Sequence, residues 1–133
     1  MYQLVELTPI SAVPYQSLLH PKHHQILRNL NGSSAWAIGA ECDGRPVGLA
    51  AGHCCPAEQR GEILSLTVAD IYQKRGIGRA LLRQAEQKLQ EKNSRLIHFS
   101  SIVKAEDLVW LDAFLRKEQW NPLHAKFICI HSV

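Results

Sequence analysis

Apolar and polar residues follow two different periods between Glu62 and Leu89. The first part alternates, which predicts a strand. Its two faces would be Leu64, Leu66 and Val68 on one side and Ile63, Ser65 and Thr67 on the other. The last part repeats at helical spacing, which predicts an amphipathic helix. Its apolar stripe would be Ile77, Leu81, Leu82, Ala85 and Leu89. A short basic turn with two glycines joins this strand to this helix.

The first third of the chain predicts a strand and a helical region. Residues 2–8 are expected to form a short strand that ends at Pro9. Residues 11–31 have a mostly helical pattern, but Pro21 falls inside it. Because proline cannot donate a backbone hydrogen bond within a helix, we expect two short helices rather than one.

A hairpin is predicted next. Residues 36–42 and 47–54 have strand patterns, and Asp43-Gly44 lies in the turn between them. Strands joined by short turns are antiparallel neighbours, so these two and the strand that starts at Glu62 would form one sheet.

The chain after the central helix predicts a strand, a helix and a final strand. These are expected at residues 96–103, 105–119 and 127–130. The strand that starts at Glu62, the central helix and the strand at residues 96–103 would form, in this order, a parallel βαβ unit with a right-handed crossover. Ligands of such units bind beyond the carboxyl ends of the strands, where the glycine-containing turn lies.

Length and composition restrict the function classes. The 133 residues, 46% of them apolar, predict one domain that spans residues 1–133. The net charge of +3 is mild and no long run of Lys and Arg is present, so a nucleic-acid partner is not expected. The N-terminus has no signal-peptide pattern, and no segment reaches the roughly 18 apolar residues that a membrane span needs. The cysteines form no C-x-x-C pair, which favours reduced thiols and a cytoplasmic protein. They are Cys42, Cys54, Cys55 and Cys129.

The turn between the central strand and helix has the properties of a phosphate site. The first turn of a helix leaves its N–H groups without intrahelical acceptors, and the helix dipole makes that end positive. No Ser, Thr, Asp or Asn immediately precedes Gly76 to cap these groups. Gly76 and Gly78 allow an anion to approach the backbone closely, and Lys74, Arg75 and Arg79 add positive charge. The spacing fits neither a dinucleotide fingerprint nor a P-loop.

The sequence Gln73-Lys-Arg-Gly-Ile-Gly78, after a strand and before Arg-Ala-Leu-Leu, resembles the coenzyme A pyrophosphate loop of the GNAT N-acetyltransferase superfamily. The resemblance implies an α/β fold with a mixed, mostly antiparallel sheet flanked by helices. It also implies acetyl-CoA as acyl donor and direct transfer of the acetyl group to a primary amine. Asp70 stands where the superfamily usually has proline.

The resemblance assigns cofactor-binding and catalytic positions. The backbone of Leu66, Thr67 and Val68 would bind the pantetheine arm. The pyrophosphate would be held by the segment Gln73, Lys74, Arg75, Gly76, Ile77, Gly78 and Arg79. Glu62 has the spacing of the catalytic glutamate in histone-type members and would be the general base, with Glu41 and His53 in reserve.

The second helix departs from the superfamily pattern. Leu115 stands where many members carry a tyrosine that acts as general acid, and leucine cannot donate a proton. Either the thiolate leaves without a protein acid, or Tyr72 serves as the acid, or the domain binds acyl-CoA without efficient turnover. This third alternative describes a non-catalytic acyl-CoA-binding or interaction module.

The sequence leaves the acceptor and the assembly open. Small amines, antibiotics, amino acids and protein N-termini or lysines all remain candidate acceptors. Few residues follow Pro122, so either the sheet edge is short or a second copy completes it in a homodimer. His20, His23 and His24 are close in sequence, but they lack the regular ligand pairs of a structural zinc site, and no metal is expected.

Overall fold

A computed structural model describes residues 1–32, 34–103, 108–118, 120 and 126–132. The strands, labelled β1 to β6, are Gln3–Glu6, Ala35–Cys42, Arg45–Cys55, Arg60–Val68, Leu96–Val103 and Lys126–Ser132. The α-helices, labelled α1 to α3, are His24–Arg28, Ile77–Glu91 and Leu108–Lys117. The α/β class and the order of these elements confirm the sequence prediction.

One mixed sheet contains the strands in chain order, from β1 to β6. Strands β1 to β4 are antiparallel to their neighbours. Strand β5 is parallel to β4, and β6 is parallel to β5. The predicted βαβ unit is therefore β4, α2 and β5. A single strand, β6, follows α3 in the described part of the chain, and a homodimer through its open edge stays a prediction.

The region before β2 contains short helical pieces. A 3-10 helix spans Val13–Leu18, and a 3-10 turn at Pro21–His23 leads into α1. The break falls just before Pro21, which occupies the first turn of the second piece. Proline is tolerated there because the N–H it lacks would have no intrahelical acceptor. The prediction of two short helical segments is confirmed.

The two faces of the sheet pack against different helices. One face packs against the apolar stripe of α2, in which Ile77, Leu81, Leu82, Ala85 and Leu89 are buried as predicted. The other face packs against the helical segments before β2, through residues that include Tyr15, Leu19 and Leu27. Among the described residues, no helix is long and apolar enough to cross a membrane.

The predicted faces of β4 require one correction. Ala51 pairs with Ser65 and the next residue, Gly52, pairs with Ile63, so Leu64 is the extra residue of a β-bulge. The bulge shifts the alternation by one position. Ile63 therefore packs on the α2 side with Leu66 and Val68, whereas Leu64 packs on the opposite side. The prediction that Leu64 shares a face with Leu66 and Val68 was wrong.

Candidate functional site

Strands β4 and β5 separate part-way along their length. Their pairing runs from Arg60 and Leu96 to Ile63 and Phe99. Both strands continue beyond this point, to Val68 and Val103, without further pairing to each other in the described structure. The result is a fork, which we define as the gap between residues 64–68 of β4 and 100–103 of β5. It opens toward the carboxyl ends of both strands.

Backbone groups of β4 face this fork. The Ala69 N–H donates to the Val47 carbonyl oxygen of β3 at 2.9 Å. Because successive residues of a strand direct their backbone groups to opposite sides, Thr67 also faces β3, whereas Leu66 and Val68 face the fork. Of the three residues assigned to the pantetheine arm, Leu66 and Val68 are thus the two whose backbone points into the gap. The Thr67 hydroxyl lies 3.3 Å from that of Ser65 on the sheet face away from α2.

The turn after β4, residues 73–79, lies at the open end of the fork. Lys74 and Gly76 have left-handed backbone conformations, with φ of 64° and 83°. Among the described residues, the amides of residues 74–79 have no hydrogen-bond acceptor, and the next amide, that of Ala80, donates to the Gly76 carbonyl at 3.0 Å. A row of backbone donors at a helix N-terminus is a favourable anion site.

The two glycines of this turn differ in their surroundings. A β-carbon on Gly76 would meet no atom within 4 Å, so the space above Gly76 is open. A β-carbon on Gly78 would lie 3.8 Å from Val68 Cγ2, an ordinary contact. Of these two glycines, Gly76 is the one that combines a left-handed conformation with free approach to the backbone.

Gln73 fixes the turn to the strand. Its side-chain Nε2 donates to the Val68 carbonyl oxygen at 3.1 Å and to Asp70 Oδ1 at 3.3 Å. These bonds join the end of β4 to the start of the turn. The Gln73 side chain is thus placed to position the loop.

The basic side chains near the turn are not equivalent. Glu118, at the end of α3, pairs with Arg79 at 3.3 Å and with Arg83 at 3.6 Å. Its side chain is only 9% exposed. The Arg75 guanidinium lies 5.4 Å from the Tyr72 ring centroid, beside the turn. Lys74 is exposed. Sequence reasoning missed Glu118 because only tertiary structure brings α3 to α2.

Glu62 lies next to the closed end of the fork. It is partly buried, and it pairs across the sheet with His53 of β3 and with His98 of β5. In contrast, Glu41 pairs with Pro46 at the other end of β3. His53 lies seven positions after Pro46 along β3, or about 23 Å at roughly 3.3 Å per residue. Of the two reserve bases, only His53 is a neighbour of Glu62.

Further histidines lie in the helical region before β2. The pKa of His23 is lowered by burial first and then by the charges of His20, Lys22 and His53, so His23 lies within electrostatic range of β3. His24 has a structural role, because its Nε2 lies 3.0 Å from the Gln16 carbonyl oxygen and 2.9 Å from that of Leu19. Within the described ranges, no three His, Cys, Asp or Glu residues are grouped so that they could hold a metal ion.

The residues considered for a general acid lie away from Glu62. Leu115 is fully buried in the core between α3 and the sheet. Tyr72 packs at the edge of this core beside the basic turn, on the far side of the fork from Glu62. From Ile63 to Val68, β4 spans about 17 Å at roughly 3.3 Å per residue. Neither Leu115 nor Tyr72 therefore supplies a hydroxyl group to the closed end of the fork.

Comparison with known families gives a match over most of the chain. A family model described as the acetyltransferase (GNAT) family matches residues 2–108. This span includes the fork, the turn and Glu62, and it ends at the first residue of α3. No curated protein sequence matches the chain significantly.

Solved structures show the same fold. A ribosomal-protein-alanine N-acetyltransferase from Brucella melitensis biovar Abortus 2308 has a TM-score of 0.68 and 20% identity, over 86% of this chain and 89% of that one. An aminoglycoside acetyltransferase from an uncultured soil metagenomic sample, in complex with sisomicin, has a TM-score of 0.68 and 18% identity, over 87% of this chain and 86% of that one. The PaiA N-acetyltransferase from Thermoplasma acidophilum, in complex with coenzyme A, has a TM-score of 0.65 and 13% identity over 88% of both chains.

Proposed function

Because the chain belongs to the acetyltransferase (GNAT) family, we propose that it transfers an acetyl group from acetyl-CoA directly to a primary amine. The observation that carries this proposal is the continuity between the fork and the acceptor-free amides of the turn. The fork follows the unpaired part of β4, and the turn that comes directly after β4 adds backbone donors at a helix N-terminus. The structural neighbour from Thermoplasma acidophilum, solved with coenzyme A, supports the same ligand here.

The fork and the turn suit an extended ligand with a negatively charged end. The amides of residues 74–79, with Lys74 and Arg75 beside them, would hold the pyrophosphate. The backbone groups of Leu66 and Val68 would bind the pantetheine arm as an additional strand binds to a sheet edge. This orientation places the thioester near Ile63 and Phe99, where the fork closes.

Glu62 would act as the general base at that closed end. Acetyl-CoA supplies the activated acetyl thioester when it is bound. Glu62 accepts the proton that the amine nitrogen loses as the N–C bond forms and the C–S bond breaks, directly or through one water. The proton count then balances, with the acetylated amine and a thiolate as products. A fixed carboxylate on a central strand needs no conformational change to do this.

The departure of the thiolate would need no protein acid. Leu115 is buried and Tyr72 lies at the pyrophosphate end, so neither donates a proton to the sulfur. A thiol of ordinary pKa about 8.5 is a tolerable leaving group as the thiolate. The donors in the fork would also stabilise the charge that develops on the thioester oxygen.

A second candidate is an acyl-CoA-binding module without turnover. The burial of Leu115 in the apolar core favours it, because this helix has lost the side chain that many relatives use as an acid. Such a module would keep the fork and the turn and would bind coenzyme A. It would acetylate no amine.

Two measurements test these alternatives. Calorimetric titration with acetyl-CoA and dephospho-CoA at two salt concentrations tests the phosphate loop, and binding should weaken as salt rises. Thiol release with a panel of amines then separates enzyme from module. Binding with no turnover on any amine would favour the module, and no binding at all would overturn both candidates.

A further inference from the structure

Glu62 is the middle residue of a row across three strands. His53 is its partner on β3 and His98 is its partner on β5. Residues in register on neighbouring strands present their side chains on the same face of a sheet. The carboxylate of Glu62 is therefore flanked on both sides by positions that carry imidazoles.

Further basic groups lie on the helical side of the sheet, in the turn that leads into α1. His23 stands at the start of α1 and feels the charge of His53 across the gap between helix and sheet. The His20 and His23 ring centroids are 6.3 Å apart, and the Lys22 N–H donates to His20 Nδ1 at 3.1 Å. We call His20, Lys22, His23 and His53 the histidine cluster.

Carboxylates are scarce around this cluster. Within the described ranges, Glu62 is the acidic residue of the row, and Glu58 in the adjoining turn pairs with Arg60 at 3.4 Å. Glu41 lies at the far end of the same sheet face. Among the described residues, Glu62 is the one carboxylate of this row that a polycationic acceptor would meet, and the reaction itself needs it as a base. A negatively charged group would instead meet Lys22 and three imidazoles.

We infer that the acceptor is an amine with a carboxylate close to its amino group, as in an amino acid, and that the histidine cluster binds this carboxylate while Glu62 faces the amine. The inference rests on the proposed function and names the substrate class for it. It places Lys22, His23 and His53 as specificity-determining residues.

Proton linkage gives this inference a directional consequence. The surroundings that lower the pKa of His23 are burial and the positive charge of its neighbours. A bound carboxylate would offset that charge and favour the protonated imidazole. The affinity of the histidine cluster for a carboxylate should therefore rise as pH falls toward the His23 pKa. In the part of the chain that the structure describes, the charged and titratable groups around His23 are His20 and Lys22 on the helical side, and His53, Glu62, His98 and Arg60 on the sheet.

The test uses reaction-product analogues, so it does not depend on turnover. N-acetylglycine carries the carboxylate, N-acetylglycinamide is its neutral match, and N-acetylputrescine is cationic. Each is titrated against the full chain with and without coenzyme A, and the histidine C–H resonances are followed by NMR. N-acetylglycine should bind at least about tenfold more tightly than the amide, the effect of one charge-assisted contact. It should also shift the His23 and His53 signals and raise the pKa of His23.

Matched variants assign the effect to the cluster. Lys22→Gln should reduce the preference for N-acetylglycine severalfold, whereas Arg45→Gln, at the exposed hairpin between β2 and β3, should leave it unchanged.

Equal binding of the neutral amide, tighter binding of N-acetylputrescine or no response of the histidine signals would overturn the inference. If coenzyme A binds and the carboxylate preference is missing, only the substrate class falls. If coenzyme A does not bind, the proposed function falls, and the titration without it still decides whether the cluster binds carboxylates.

Discussion

Gly52 lies directly against the backbone carbonyl of Glu62. A β-carbon on Gly52 would be 1.9 Å from the Glu62 carbonyl oxygen and 3.0 Å from Trp36 Cζ2. The first contact is with backbone, so no flexible side chain can move aside to relieve it. This close approach occurs where the register of β3 and β4 shifts, next to the bulged residue Leu64. The position of the candidate base thus depends on a glycine of the neighbouring strand.

Gly52→Ala should therefore destabilise the fold. Forcing a methyl group into a packed interior costs about 1–3 kcal/mol, and the backbone contact here points to the upper part of that range. The measurement is urea unfolding of the variant and the wild type. Gly78→Ala is the control, because its β-carbon would make only an ordinary contact and alanine is the better helix former. An unchanged midpoint for Gly52→Ala would show that β3 and β4 separate easily at this point.

Local patterns in the sequence predicted most of the fold. The alternation of β4, the stripe of α2 and the Asp43-Gly44 turn each depend on neighbouring residues, and the turn has the left-handed conformations that its sequence favours, with φ of 51° and 76°. The bulge was missed because it depends on the register with β3. Its one local signal was Gly52, since an isolated glycine within a strand often marks a bulge or a close approach.

Gly76→Leu should abolish coenzyme A binding. The new side chain would occupy the open space above the turn and would also strain a backbone with φ of 83°. Gly44→Leu is a matched control, because Gly44 has φ of 76° and no atom within 4 Å of its β-carbon position, but it lies in the β2–β3 hairpin. Both variants carry the same kind of strain, so only blocked access to the turn distinguishes them in a calorimetric titration. Equal affinity of the two variants would contradict the loop assignment.

Arg79→Gln should affect stability more than cofactor affinity. The Arg79 side chain pairs with Glu118, and a partly exposed ion pair of this kind contributes up to about 1 kcal/mol. The Arg79 backbone amide, which is one of the donors proposed for the pyrophosphate, remains in the variant. We expect a small loss in the free energy of unfolding and a dissociation constant for coenzyme A within about twofold of wild type. Arg75→Gln is the comparison, and it should weaken binding more because Arg75 lies beside the turn without an acidic partner among the described residues.

The site was predictable to the extent that it is local. The turn from Gln73 to Gly78 is one short segment, so its glycines, its basic residues and its place before a helix were enough to predict a phosphate site, which stays a prediction. The histidines of this site come from the turn before α1, from β3 and from β5, which lie far apart in sequence, and only the strand register places His98 beside Glu62. The pairing of Arg79 with Glu118 likewise depends on how α3 packs against α2.

The stability of the protein should fall as pH drops below the ordinary histidine range. The folded-state pKa of His23 is lowered by burial and by the charges of His20, Lys22 and His53. The unfolded chain therefore binds the proton at a higher pH than the folded chain. The contribution of His23 is fully present above its ordinary pKa of 6.5 and is lost as pH falls from there through the lowered folded value. Urea unfolding across this pH window should show a free energy of unfolding that decreases as pH falls. The variant His23→Asn should show a smaller decrease. An identical decrease in the variant would assign the effect to other groups.

Glu62→Gln should lower the turnover rate without weakening coenzyme A binding. Glutamine preserves the shape and polarity of the side chain but cannot accept the amine proton, and loss of a general base costs at least about 100-fold in rate. The rise of the rate with pH should flatten in the variant, because the remaining reaction depends on amine that is already deprotonated in solution. Glu41→Gln is the matched control, since Glu41 is also a strand carboxylate but lies at the other end of β3. Steady-state kinetics on the best amine, with a calorimetric titration of coenzyme A, measures both effects. A Glu62→Gln variant with full rate and an unchanged pH profile would show that another group, with His53 as the nearest candidate, takes the proton.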